Sequence, residues 1–181
     1  MVLRFGLLAR RRARREAVNG AYRAIVERAR NPLFFLRWGV PDTLDGRFEL
    51  LALHAFLVLN RLKSDHAATQ EFAQELFDTM FADLDRAVRE MGATDIGVGR
   101  YVKEMARGFY GRIAAYEAGL AGGDGVLRDA LGRNLFGTTE AGDAQLAEAA
   151  SYLREQAAAL RAAPLPLLLT GAVPFAPLPA G

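Results

Sequence analysis

Apolar residues recur every three or four positions along most of this chain, and the breaks between stripes divide it into helices. From Glu16 to Arg30, the positions Val18, Ala21, Tyr22, Ile25, Val26 and Ala29 predict one amphipathic helix. Asn31 and Pro32 end it, because a proline disfavours helical backbone at the residue before it but suits the first turn of a new helix. Leu33 to Trp38 are therefore expected to form a short apolar turn on the core, with Trp38 as an anchor, closed by Gly39 to Pro41.

Asp42 and Thr43 are N-cap candidates for a helix running to about Lys63. Its segment LLALHAFLVL, Leu50 to Leu59, is apolar apart from His54. It falls well short of the roughly twenty residues that span a bilayer, and reads as a buried central helix. His54 reads as a satisfied core or boundary histidine, since the second histidine, His66, falls in a predicted turn over Ser64 to Ala67 and no carboxylate stands at metal-ligand spacing. The next helix, Ala68 to Met91, carries Phe72, Leu76, Phe77, Met80, Phe81, Leu84 and Val88 on one face. Asp78, Asp85 and Glu90 alternate with Arg86 and Arg89 on the other, the pattern of a solvated surface with exposed ion pairs.

Gly92 stands where a left-handed helix cap is expected, Thr94 or Asp95 can cap the helix after it, and Gly97 and Gly99 allow close backbone approach. Val98, Val102, Met105, Phe109, Ile113, Tyr116 and Leu120 form the following stripe, with Arg100, Lys103, Arg107 and Arg112 on the other sides and Tyr101 and Tyr110 at the borders. The loop AGGDG, a short helix from Asp124, and an alanine-rich helix from Asp143 to Ala162 complete the pattern. From Pro164 onward the chain holds five of its seven prolines, which predicts an extended or short-turn tail with Leu167 to Leu169 tucked in and loose final residues. The expected fold is all-α: a single-domain bundle of about six helices over 16–163, a basic arm over 1–15 and a Pro-rich tail over 164–181.

Charge changes this picture at one end. The first thirty residues hold nine arginines and two glutamates, a net charge of +7, and the remaining 14 basic and 19 acidic residues give −5. A basic arm on a mildly acidic body predicts a polyanionic partner for the arm, through Arg10, Arg11, Arg12, Arg14 and Arg15. Those arginines follow Leu7, Leu8 and Ala9 instead of preceding a long apolar run, which argues against a secretory signal. The chain contains no cysteine, excluding disulfides, thiolate metal sites and cysteine nucleophiles. The dipeptide repeat Gly97-Val98-Gly99 lacks the preceding strand and full fingerprint of a phosphate-binding loop. No catalytic constellation is legible.

Two stretches, WGVPDTLDGRFELLALHAFLVLNRL and FADLDRAVREMGATDIGVGRYVKEMARGFYGR, resemble the ubiquinol–cytochrome c chaperone family, with similarity extending from about Ala21 to Phe136. The resemblance implies a helical, non-enzymatic, cofactor-free assembly chaperone for the ubiquinol:cytochrome c reductase complex, with cytochrome b or another subunit of the complex as client. In the absence of a long transit sequence it implies a bacterial member, cytoplasmic and peripheral at the inner membrane. Carried onto the matching stretches, the partner-binding candidates are Asp42, Asp45, Arg47, Asp83, Asp85, Arg86, Arg89, Glu90, Asp95, Lys103, Tyr110 and Arg112, with Gly92, Gly97 and Gly99 as the structural corner. The arm is expected to meet an anionic membrane surface or ribosomal RNA, and no DNA partner is implied. The competing expectation is a helical adaptor at a membrane, ribosome or nucleic acid that has no cytochrome client.

Overall fold

A helix that is apolar around its whole circumference has to be covered on every side, and the run from Leu50 to Val58 is buried without interruption. The structure, a computed structural model, describes the backbone of residues 2–90 and 95–179 and the side chains of residues 8–90 and 97–179. Among these residues it contains no strand and eight helices: α1 Val2–Ala29, α2 Pro32–Leu36, α3 Leu44–Lys63, α4 His66–Glu90, α5 Asp95–Ala121, α6 Asp124–Arg133, α7 Asp143–Ala162 and α8 Leu165–Leu168. The all-α expectation holds, with six long helices and two short ones. α3 is the hub, packed on by α1, α4, α5 and α7, while α6 bridges α5 to α7.

Local chemistry fixes the ends of these helices. Pro32 fills the first position of α2, as the pattern predicts, and the Asn31 side chain caps that helix by accepting from the Leu33 amide at 3.0 Å. Thr43 caps α3 by accepting from the Gly46 amide at 3.2 Å. At the far end of α7, Arg61 donates to the carbonyls of Leu160 and Ala163 at 3.0 and 3.2 Å, pairing a cation with the negative end of that helix.

Three features differ from the sequence pattern. α1 begins at Val2, not near Glu16, because arginine, alanine and leucine sustain a helix beyond the last apolar contact with the bundle. His66 opens α4 instead of lying in a turn. The tail, expected to end loosely, is held as far as Leu178, which packs against the core. There the Ala176 carbonyl accepts from Arg28 Nη2 at 2.9 Å and from Gln156 Nε2 at 3.3 Å, and Phe175 meets His54 edge-on with centroids 5.7 Å apart. Gly171 makes this return possible: its φ is 89°, and a Cβ there would lie 2.3 Å from the Ala17 carbonyl oxygen.

Candidate functional site

Three helices each turn one stripe, spaced at three and four residues, toward a shared groove. α1 supplies Tyr22, Val26 and Ala29, with Arg30 just beyond its end; α3 supplies Leu44, Arg47, Phe48 and Leu51; α4 supplies Asp83, Leu84, Ala87 and Glu90. The groove encloses about 300 Å³. Its floor is aliphatic and aromatic, and its rim carries two arginines and two carboxylates. Side chains from both halves of the family-like sequence thus converge, Arg47 from the first and Asp83 and Glu90 from the second.

The rim is partly wired. The Tyr22 hydroxyl donates to Asp83 Oδ2 at 2.8 Å, and burial together with that carboxylate pushes the phenol pKa up. Arg47 donates through Nε and Nη2 to Asp42 at 2.6 and 3.2 Å, which holds the Asp42 carboxyl below its ordinary range. Arg30 and Glu90 are exposed and have no ion pair among the described residues. Among the described residues the groove therefore offers apolar surface flanked by an unpaired cation and an unpaired anion, an arrangement suited to one face of an amphipathic helix.

Leu44 forms the ridge between this groove and a shallower depression lined by Val88, Gly97, Arg100, Tyr101 and Glu104. Across it the Tyr101 hydroxyl donates to Asp45 Oδ1 at 3.1 Å, joining the starts of α3 and α5. Asp42, Asp45, Arg47, Asp83 and Glu90 consequently gather around the beginning of α3. Asp85 and Arg89 pair on the outer side of α4 at 2.6 Å, Arg86 stands 3.8 Å from Asp83 on an exposed flank, and Lys103 is exposed on α5.

Other predicted residues fall elsewhere. Arg112 is turned inward to Glu49 by two hydrogen bonds, so its charge is accounted for within the fold. Tyr110 is 61% exposed and leans on Phe77, centroids 5.6 Å apart, away from the groove. The expected close approach at Gly99 is not found: a Cβ there would meet nothing within 4 Å, because α5 exposes that position. Gly97 is half-buried. Gly92 and the Asp95 side chain lie outside the described residues.

Of the arm, Arg14 ion-pairs with Glu71 and, at 2.6 Å, with Glu75 on α4, so it is committed to the fold instead of to a polyanion. Arg12 pairs with Glu16 at 2.9 Å in full solvent exposure. Arg10, Arg11 and Arg15 are exposed with no ion pair among the described residues. Sequence reasoning missed Arg30, Leu44, Leu51 and Ala87 as lining residues, because the periodicity that marks a groove wall is the same as that of a core stripe. The one usable signal is a charged residue directly adjoining the stripe, as at Arg30, Arg47 and Glu90.

The described residues contain no cluster of three or more His, Cys, Asp or Glu able to hold a metal, and no helix among them is long and apolar enough to cross a membrane. His54 is fully buried between α3 and α7, its Nδ1 2.7 Å from the Leu50 carbonyl oxygen and its Nε2 2.8 Å from the Tyr152 hydroxyl. A carbonyl can only accept, so Nδ1 carries the proton and Nε2 accepts from tyrosine. The histidine is a satisfied core group.

Residues 36–175 match the family model described as ubiquinol-cytochrome C chaperone. A ubiquinol-cytochrome-c reductase complex assembly factor 1 from Xenopus laevis is 30% identical over 158 residues, covering 87% of this chain and 79% of that protein. Its Mus musculus counterpart is also 30% identical over the same length, but this chain spans only 54% of it. The mitochondrial protein CBP3 of Saccharomyces cerevisiae is 30% identical over 101 residues, covering 54% of this chain and 30% of that protein. The crystal structure of the Cbp3 homolog from Brucella abortus superposes with a TM-score of 0.85 at 35% identity, covering 98% of this chain and 97% of that one.

Proposed function

This chain belongs to the ubiquinol-cytochrome C chaperone family, and we propose that it assists assembly of the ubiquinol:cytochrome c reductase complex by holding newly made cytochrome b at the groove between α1, α3 and α4. The names of its relatives, which are assembly factors for that complex, support the reading at the level of the complex. The groove supports it at the level of the client. A freshly made membrane subunit carries helices whose apolar faces have no partner yet, and a floor of Val26, Leu44, Phe48 and Leu84 offers such a face temporary cover.

The observation that carries the proposal is the convergence of Arg30, Arg47, Asp83 and Glu90 on the rim of an apolar floor. Apolar contact supplies most of the affinity; rim charges of both signs set orientation and discriminate among apolar segments, since exposed pairs contribute little energy each. Arg86, Arg89, Asp85 and Lys103, lying outside the groove, act as outer contacts that tune encounter. Nothing in this role requires a bond to be made or broken.

The experiment is a photo-crosslinker placed at Ala87 in the full chain, expressed in a host that assembles the reductase. Apocytochrome b should appear in the adduct during assembly and disappear when its synthesis is blocked. Adducts containing only ribosomal proteins, or no reductase subunit, would overturn the reading and favour a ribosome-bound adaptor.

A further inference from the structure

Leu8, Arg11, Arg12 and Arg15 stand at i, i+3, i+4 and i+7 of α1 and so share one face of the helix. Leu8 is 64% exposed, and the three arginines are exposed around it. Arg14 projects from the other side into Glu71 and Glu75, while Ala17 and Val18, a turn further on, are buried in the core. The outward face is therefore held in a fixed direction relative to the bundle. It does not swing on a linker.

The same stripe continues through Asn19 to Val26, which forms a wall of the groove. From Leu8 to Val26 is five full turns, about 27 Å, so the exposed leucine and the groove wall lie on one line along α1. Glu16, one turn beyond Arg12 and paired with it at 2.9 Å in solvent, is the first acidic residue after the clustered arginines and marks where a polyanion contact has to end.

We propose that this face of α1 docks on an anionic lipid bilayer, with Leu8 entering the headgroup boundary, Arg11, Arg12 and Arg15 on lipid phosphates, and the groove turned toward the membrane surface. An apolar side chain ringed by guanidinium groups suits a bilayer interface, where each basic residue adds to the attraction of an anionic leaflet. RNA is the weaker match, because sites for unpaired bases present aromatic platforms and the described side chains from Leu8 to Arg15 include none. The docking half stands on this face alone; the orienting half rests on the groove being the client site.

Flotation of the full chain with phosphatidylcholine vesicles, with and without phosphatidylglycerol, tests the docking. Binding should require the anionic lipid and fall as salt rises. Replacing all three arginines, R11Q/R12Q/R15Q, should weaken it about a hundredfold, whereas R11K/R12K/R15K should retain most of it, with helicity checked in both by circular dichroism. Equal binding to neutral vesicles, undiminished binding of the glutamine variant, or tighter capture by a single-stranded oligoribonucleotide than by vesicles would overturn docking. A fluorophore at Asn19 should then be quenched by nitroxide-labelled lipid and one at Glu140 should not; equal quenching overturns the orientation. Flotation is read with no client present, so failure of the client reading would leave lipid docking standing.

Discussion

Arg112 on α5 donates through Nε and Nη2 to the carboxylate of Glu49 on α3, with its guanidinium 5.3 Å above the Phe48 ring. Both side chains are largely shielded, 20% and 12% exposed. Removing one partner leaves the other charge buried, so Arg112→Ala should destabilise the fold by about 3 kcal/mol, read from urea denaturation. The double change E49L/R112M should recover most of that loss. If R112A alone is as stable as the wild type, the pair has no role in joining α3 to α5.

Burial pushes His54 down to about 4, with Arg28 nearby acting in the same direction. Its folded pKa is then below its unfolded value of about 6.5, and the unfolded chain binds the proton preferentially between the two. Stability from this group is complete above about pH 6.5 and is lost as pH falls toward 4, by about 3 kcal/mol in all. Comparing the wild type with His54→Leu at each pH cancels the carboxylates: the wild type's advantage should shrink across that window and stay flat above it. A constant difference would mean that His54 is not held neutral.

The tail should control that titration. Phe175 covers His54 edge-on and lies under the Arg28 guanidinium at 5.1 Å. Phe175→Ala should cost about 2 kcal/mol, below the range for truncating a fully buried aromatic because the ring is only half-buried. It should also raise the His54 pKa by admitting water, which NMR titration of the ring would detect. An unchanged histidine titration would show that the tail is not its cover.

In the groove, Ala87→Arg puts a long cation over the apolar floor without opening a cavity. The melting temperature should barely move, because Ala87 is half-buried at the mouth. Client crosslinking from a second groove position, Arg47, should drop by about tenfold or more, the scale expected when a buried contact patch is blocked. Full crosslinking in this variant would move the client site away from the groove.

How much of this was legible beforehand depends on whether a feature is local. The α7 boundaries, the break at Asn31 and Pro32, the Thr43 cap and the buried run inside α3 are written in neighbouring residues and match the structure. The Glu49–Arg112 pair and the Arg14 contacts with Glu71 and Glu75 join positions more than fifty apart. No periodicity signals them, which is why Arg112 and Arg14 read as surface charges. Gly99 shows the opposite error: a glycine beside a turn suggests close packing, yet this one faces open space. The groove was half visible, through Arg47, Asp83 and Glu90, but its floor could not be told from core until the three stripes were seen to leave a space between them.

The hub position of α3 also carries a consequence for the order of synthesis. All three walls of the groove lie between Tyr22 and Glu90, in the first half of the chain to leave the ribosome. Another side of α3 is covered in part by α7 and the returning tail, which are made later. A nascent chain that stops before Asp143 thus has its client surface in sequence but one bare apolar flank on the helix that supports it. Until residues 143–178 are made, the chain exposes the same kind of apolar surface that the proposed client would bring to the groove.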